Sequence, residues 1–489
     1  MTKDELKRLE GIEVRIMEIA EEMGLETCPI EFDIVPAEKM LEIMAYHIPT
    51  GISNWKYGRD WERLRTIHER VSAGLPYEVV IHSDPSRAYF MKDNTFAVHV
   101  LVMAHVVGHV AVFTMNKYFQ NSRSDMIEVM RNAFHRFNEY EKKYGIDAVE
   151  EIIDSGHALQ LHSNPFINET ETEVRERMFN DIKHNAHRID TSEYGDLLKK
   201  EDIVTEDLEL FNQKLWRALR LKSPPAPTED LLRYIIDNSP ILDDWQKDIL
   251  ETIREEGRYF WPMIRTRYLN EGFATYIHER IMDQLFKEGV LDDTERAQYN
   301  YSNSLVKAAN PYSMNPYLIG SKVLEDIKRR WDTGQHGMDW ENCDNAEEKE
   351  KWDTGAMEGD KKVIDVMRTY TDWFLMQDYL TPELVDELNL YIYMQRETPQ
   401  NVEIVRTMHD AKQIRNLIIM SFAQTSIPKI EVINGKYQGN DILLKHSWDK
   451  IDLDKVYALK TLEHVENLWG SKALIETQIN DKPMLFKSR

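Results

Sequence analysis

The sequence predicts a mainly α-helical protein with a small α+β domain at its C-terminal end, and three observations carry this. Apolar residues recur at helical spacing through roughly the first 390 residues. Beyond residue 398 the texture changes to short alternating segments around Asn434-Gly435 and Gly439-Asn440. Two distant apolar stretches, one with His105 and His109 and one with Glu271, read as buried helices that carry polar groups inward.

Taken in order, Leu6 to Met23 has helical spacing with charges between its apolar residues. Gly24, Pro29 and the alternating Ile30-Glu31-Phe32-Asp33-Ile34-Val35 then predict a short strand, followed by a helix from Ala37. Tyr77 to His82 reads as a strand stopped by Ser83-Asp84-Pro85, and Asn94 to Tyr118 as a long apolar helix. Further helices are expected over 125–143, 146–161, 170–184 and 206–219. Ser223-Pro224-Pro225-Ala226-Pro227 breaks the pattern, with Thr228 as the expected N-cap of the next helix.

Helices resume over 229–237, 242–258, 268–288, 292–308 and 316–332. Gly334 to Gly359 is polar and acidic and predicts a loop; the Trp-Asp-Thr-Gly echo at Trp331 and Trp352 is too short to be a repeat. In the tail, Lys429 to Ile433 and Asp441 to His446 read as paired strands. Leu453 to Trp469 reads as a helix, and Ala473 to Gln478 and Pro483 to Phe486 as further strands.

A chain of 489 residues exceeds one compact core. The expected division is a helical domain over 1–397 and an α+β domain over 398–489. Apolar content of 42% and charged content of 30% are those of a globular protein. The net charge of −24, with no basic stripe against it, excludes nucleic acid and anionic membrane as partners. No apolar segment follows the charges of Met1 to Arg8, so no signal peptide is expected. Phe96 to Met115 is apolar enough to span a membrane, but its three histidines, His99, His105 and His109, favour a buried helix over membrane insertion. Cys28 and Cys343 share no motif spacing, which fits a reducing cytoplasm and no disulfide framework.

Residues four apart on a helix share a face, so His105 and His109 can aim at one ion. Gly108 leaves room for another backbone or a substrate beside them. Glu271, in a stretch of low polarity, calls for a cation, and a His/His/Glu set satisfies a zinc ion with one position open to water. This is the gluzincin plan, and the fold expected around it is a helical, zincin-like core. His278 faces the same way as Glu271 but lies about 10 Å along the axis, which suits a supporting, substrate-contacting or second-metal role.

The position after the first histidine, where such peptidases carry the glutamate that activates water, is Val106. A base from elsewhere, with Glu255 or Glu256 as candidates, is one answer. Iron-based oxidation on a two-histidine, one-carboxylate triad and a purely structural metal are two more. No histidine has a glutamate three residues before it, which disfavours a di-iron bundle. His162 reads as a surface or capping residue, and His184 with His187 as part of a solvated helix face.

These motifs resemble the stage V sporulation protein R (SpoVR) family. The resemblance rests on Phe32-Asp33-Ile34-Val35-Pro36-Ala37-Glu38 with Met44-Ala45-Tyr46, and on Pro76-Tyr77-Glu78-Val79-Val80-Ile81-His82-Ser83-Asp84-Pro85. It continues through Met103-Ala104-His105-Val106-Val107-Gly108-His109, and Asp248-Ile249-Leu250 with Arg254-Glu255-Glu256. Asn270 to His278 and Asn315-Pro316-Tyr317-Leu318-Ile319-Gly320, leading to Arg329-Arg330-Trp331-Asp332, complete it. The tail from Pro428 to Lys487 resembles the family's small C-terminal domain.

The family pattern itself carries valine after the first histidine, which makes Val106 a family trait. Departures are Asn54-Trp55 where the family has His-Trp, Val112-Phe113 where it has paired phenylalanines, and His82 where it has asparagine. The resemblance implies a cytoplasmic protein linked to spore cortex formation or stress response, with sporulation or stress-kinase partners. With the site, it points to a zinc-dependent hydrolase acting on an amide bond in a peptide or peptidoglycan-related substrate. The alternatives are a non-enzymatic scaffold with a structural metal and a non-haem iron redox enzyme.

Overall fold

The computed structural model describes residues 2–46, 60, 63, 78–164, 166, 169–184, 208–310, 313–397, 402–406, 408, 410–424 and 427–489. In chain order the elements open with α1 (Lys3–Glu22), β1 (Ile30–Val35), α2 (Ala37–Tyr46), β2 (Glu78–Ile81), β3 (Ser86–Met91) and α3 (Phe96–Met115). Then come α4 (Met126–Tyr144), α5 (Ile146–Leu159), α6 (Glu171–His184), α7 (Leu208–Leu221), α8 (Leu231–Asn238), α9 (Asp244–Arg265), α10 (Arg267–Lys287), α11 (Asp293–Val306) and α12 (Pro316–Thr333). The short α13 (Gly337–Glu341) and α14 (Ala346–Glu350) precede α15 (Gly359–Thr369), α16 (Asp372–Tyr379), α17 (Pro382–Glu387), β4 (Tyr393–Glu397), β5 (Val402–Arg406) and α18 (Ala411–Gln424). The chain closes with β6 (Ile430–Tyr437), β7 (Asp441–His446), α19 (Lys455–Trp469), β8 (Ala473–Ile479) and β9 (Lys482–Lys487). The protein is thus mostly helical, with a four-stranded sheet near its end.

Two compact units emerge: Met1–Phe134 with Tyr259–Ser426, and His135–Arg258 with Ile427–Arg489. The expected boundary at 397/398 abuts residues 398–401, which lie outside the described residues.

The first unit is built around α3. Every residue from Ala97 to Phe113 is buried, as a helix apolar on all sides must be. Among the described residues it is the helix long and apolar enough to cross a membrane, and 94% of its most apolar window is buried inside the protein. Neighbouring α1, α10 and α11 pack against it, and α12 packs closely on α10 in turn. A Cβ on Gly108 would lie 2.6 Å from the Ala274 Cα, and one on Gly272 would lie 2.4 Å from Gly320 backbone. Only glycine permits such approaches. A three-stranded sheet flanks the helices in the order β1-β3-β2, with β1 parallel and β2 antiparallel to β3. Its register sets Glu78 opposite Phe90. The expected loop over Gly334 to Gly359 contains α13 and α14, each five residues long.

In the second unit β6-β7-β8-β9 form a sheet whose β7–β8 pair is parallel, joined by α19 as crossover. β6 turns at the second of its two expected sites, Gly439-Asn440, and not at Asn434-Gly435. It continues to Tyr437 with register shifts, and the reversal comes at Gln438 and Gly439, which have φ of 46° and 109°. Thr228 is not the cap of α8 either: it pairs with Val432 in a β-bridge, and the Asp230 carboxylate accepts from the Arg233 amide instead.

Candidate metal centre

His105 and His109 stand one turn apart on α3, with ring centroids 4.5 Å apart and planes at 86°. The close crossing of α10 at Gly108 brings Glu271 against both rings. Its Oε2 is 3.4 Å from His105 Nε2 and 3.5 Å from His109 Nε2. A second carboxylate comes from the sheet: Glu78, first residue of β2, places Oε1 3.9 Å from His105 Nε2. Ligand atoms of Glu78, His105 and His109 all lie within 4.8 Å of one another.

The remaining ring nitrogens have partners. His109 Nδ1 is 2.9 Å from Asn270 Oδ1. An amide oxygen only accepts, so His109 carries its proton on Nδ1 and a lone pair on Nε2. His105 Nδ1 lies 3.0 Å from His278 Nδ1. Tyr317, near the start of α12, stacks on the His105 ring at 5.8 Å and 29°, and its hydroxyl acts on Glu271 to lower the carboxyl. By contrast, His105 Nε2 and Glu271 Oε2 are buried without a hydrogen-bond partner. A buried ring nitrogen and a buried carboxylate oxygen that face each other without a hydrogen bond are costly. A cation between them removes that cost, and two imidazoles with a carboxylate are a donor set for zinc or iron.

Burial acts on each group differently. It holds His109 down to about 4, with the charge of His105 adding to it. It pushes Glu78 up to about 7, opposed by His105 and reinforced by Glu271. Burial and then the His105 charge keep His278 well below the usual imidazole range. For His105, contact with Glu271 and the charge of Glu78 outweigh burial and raise it. Glu271 is held below the usual range, because its histidine neighbours outweigh burial.

Of the residues singled out in the sequence, His105, His109, Glu271 and His278 come together. Glu255 and Glu256 fall in the second unit and are not in this group. Glu256 accepts from Gln160 Nε2 at 2.8 Å, and Glu255 pairs with Arg258 at 3.1 Å and Arg254 at 3.4 Å. The His162 carbonyl accepts from the Leu231 amide. The His184 side chain, His187, Asn54 and Trp55 lie outside the described residues. Val106 is fully buried in the apolar core, so the position of the usual glutamate is a packing position here.

Sequence reasoning missed Glu78, Asn270 and Tyr317 as members of the site. A lone carboxylate in Tyr77-Glu78-Val79-Val80-Ile81 was the available signal for the first. The other two sit inside the blocks that carry the family resemblance. His82, at the family's asparagine position, packs among Phe113, Phe119 and Tyr259 with centroids at 5.1, 5.6 and 5.9 Å, and neither ring nitrogen is partnered.

Fold and site together define a mainly helical protein with a buried two-histidine, one-glutamate cluster on crossed helices and a further carboxylate from a sheet edge. Residues 3–427 match the family described as SpoVR like protein, and the chain belongs to that family. It is 26% identical over 483 residues to the uncharacterized protein YcgB of Escherichia coli (strain K12), spanning 95% of this chain and 90% of that relative. No solved structure matches the chain.

Proposed function

We propose that the chain is a metal-dependent hydrolase in which His105, His109 and Glu271 hold one divalent cation, zinc foremost, on a gluzincin-like pair of helices. The substrate class is an amide bond in a peptide or peptidoglycan-related molecule. The observation that carries this reading is the lone pair of His109 Nε2, fixed by Asn270, facing the unpartnered Glu271 Oε2 at 3.5 Å. Only a proton or a cation relieves that pairing.

When bound, the cation supplies Lewis acidity to a water and to the substrate carbonyl. The chain's own residues do the rest. Glu78 takes the place that Val106 leaves vacant as base: its Oε1 accepts a proton from water and returns it to the leaving amine. Tyr317 holds the Glu271 carboxylate in orientation through its hydroxyl, and Asn270 fixes the His109 ring. Two cysteines without a disulfide suit a cytoplasmic setting, and family membership suggests a role in sporulation or stress response beside kinase partners.

Metal analysis of untagged protein tests the reading. About one equivalent of metal is expected, lost on His105→Ala and Glu271→Ala. Less than about half an equivalent, unchanged by either substitution, sinks it. A second reading, a structural metal in a scaffold protein, is favoured by the burial of His105 and His109, 4% and 8% exposed. Full metal loading with no exchangeable water at the metal selects it.

A further inference from the structure

We infer that Asn303 is a positioning residue for this centre: through His278 it selects the ring form in which His105 presents a lone pair at Nε2. The inference rests on the metal reading only for its consequence, not for its geometry.

Glu279 Oε1 accepts from Lys307 Nζ at 2.8 Å and from Asn303 Nδ2, also at 2.8 Å. A carboxylate ion-paired with lysine has no proton to give, so the asparagine must turn its NH2 toward it. The reversed amide would set Asn303 Oδ1 against Glu279 Oε1, two acceptors at hydrogen-bond distance. Asn303 Oδ1 therefore points at His278 Nε2, 3.1 Å away. An amide oxygen only accepts, so His278 bears its proton on Nε2 and a lone pair on Nδ1. That lone pair faces His105 Nδ1 at 3.0 Å, which must then be the N–H. The neutral His105 ring then has its lone pair on Nε2, directed at the Glu271 side of the site.

Each contact in this series has one permitted sense, and the sense is imposed by Lys307 about four groups away from the cation position. Neighbouring packing holds the series in place. Tyr299, one turn before Asn303 on α11, meets the His278 ring edge-on at 6.4 Å and 89°. Glu279, Asn303 and Lys307 also line a 420 Å³ recess on the surface, which keeps the ion pair partly hydrated. Second-layer groups of this kind orient ligand imidazoles, and their loss weakens metal binding by about 10–100-fold.

Two readouts test the inference. In metal-free protein labelled with 15N-histidine, two-bond couplings report which nitrogen of neutral His278 carries the proton, with the signal assigned by its loss in His278→Gln. The proton is expected on Nε2 in the wild type. In Asn303→Leu it is expected to redistribute toward Nδ1. Zinc affinity by chelator competition is expected to fall about 10–100-fold in Asn303→Leu. A His278 proton on Nδ1 in the wild type overturns the inference, as does Asn303→Leu that changes neither the ring form nor the zinc affinity. If the wild type binds no metal, the metal reading fails by itself, and the ring form of His278 still decides this one. Circular dichroism melting of each variant separates a misfolded protein from either result.

Discussion

Gly108 and Ala274 meet backbone to backbone: a Cβ on Gly108 would lie 2.6 Å from the Ala274 Cα and 3.1 Å from its Cβ. This contact sits between His105 and His109 on one helix and three residues from Glu271 on the other, so it sets the spacing of the cluster. Gly108→Ala is expected to push α10 away from α3, at a cost of about 1–3 kcal/mol from overpacking. Metal content should fall with it, because Glu271 rides on the displaced helix. Gly11→Ala is the control. Gly11 lies within α1 with nothing inside 4 Å of an added Cβ, and alanine there should stabilise by about 0.5–1 kcal/mol. Thermal melting and metal analysis of the two variants check the contrast.

Replacing Val106 with glutamate should not create a better hydrolase. Val106 is fully buried in the apolar core, so Val106→Glu strands a carboxylate there and is expected to destabilise by at least about 2–3 kcal/mol. The base is expected at Glu78 instead. Glu78→Gln should keep the metal and lower hydrolysis about 10²–10⁴-fold. Metal loss in Glu78→Gln would make Glu78 a ligand and remove it as base.

His82 ties stability to acid. Burial pushes its imidazole down to about 4 from an ordinary 6.5, so between those values the unfolded chain binds a proton that the folded one refuses. Its contribution is present above pH 6.5 and lost as the pH falls toward 4. The loss is of the order of 3 kcal/mol at most. His82→Leu, which fills the same space between Phe113, Phe119 and Tyr259, should flatten the acid limb of the stability curve over this window. Urea unfolding at intervals from pH 4 to pH 7 measures it, and parallel curves for the two proteins would refute it.

How far these features were legible in the sequence depends on the range of the contacts involved. The pair His105 and His109 was visible because four residues on one helix fix a shared face. Glu271 was visible because a carboxylate in an apolar helix demands a partner. Glu78 was not connected to them, since its place depends on β2 pairing with β3 in a register that no local pattern sets. β3 itself was missed because Ala88, Tyr89 and Phe90 are buried in succession, which erases the alternation that marks a strand. The α8 cap was misplaced by two residues, because Thr228 is drawn into backbone pairing with Val432, a tertiary contact that overrides local capping preference.

Asp372 carries the opposite pH signature to His82, and the contrast makes the pair informative. It is 3% exposed and accepts from the amides of Tyr268 and Leu269, at 3.0 and 2.8 Å. Those amides open α10, the helix that carries Glu271. Burial outweighs the two backbone donors and pushes the carboxyl up to about 7 from 3.8. The folded protein therefore keeps a proton that the unfolded chain releases in this interval. The stability so gained is complete below pH 3.8 and is lost as the pH rises through 7. Asp372→Asn retains an acceptor oxygen for one of the amides and cannot ionise. Its stability relative to the wild type should therefore improve steadily from pH 4 to pH 8. Chemical unfolding across that range decides the point: a variant that loses stability relative to the wild type as the pH rises would mean the carboxylate is stabilised as an ion by the helix start, and that burial is the weaker influence.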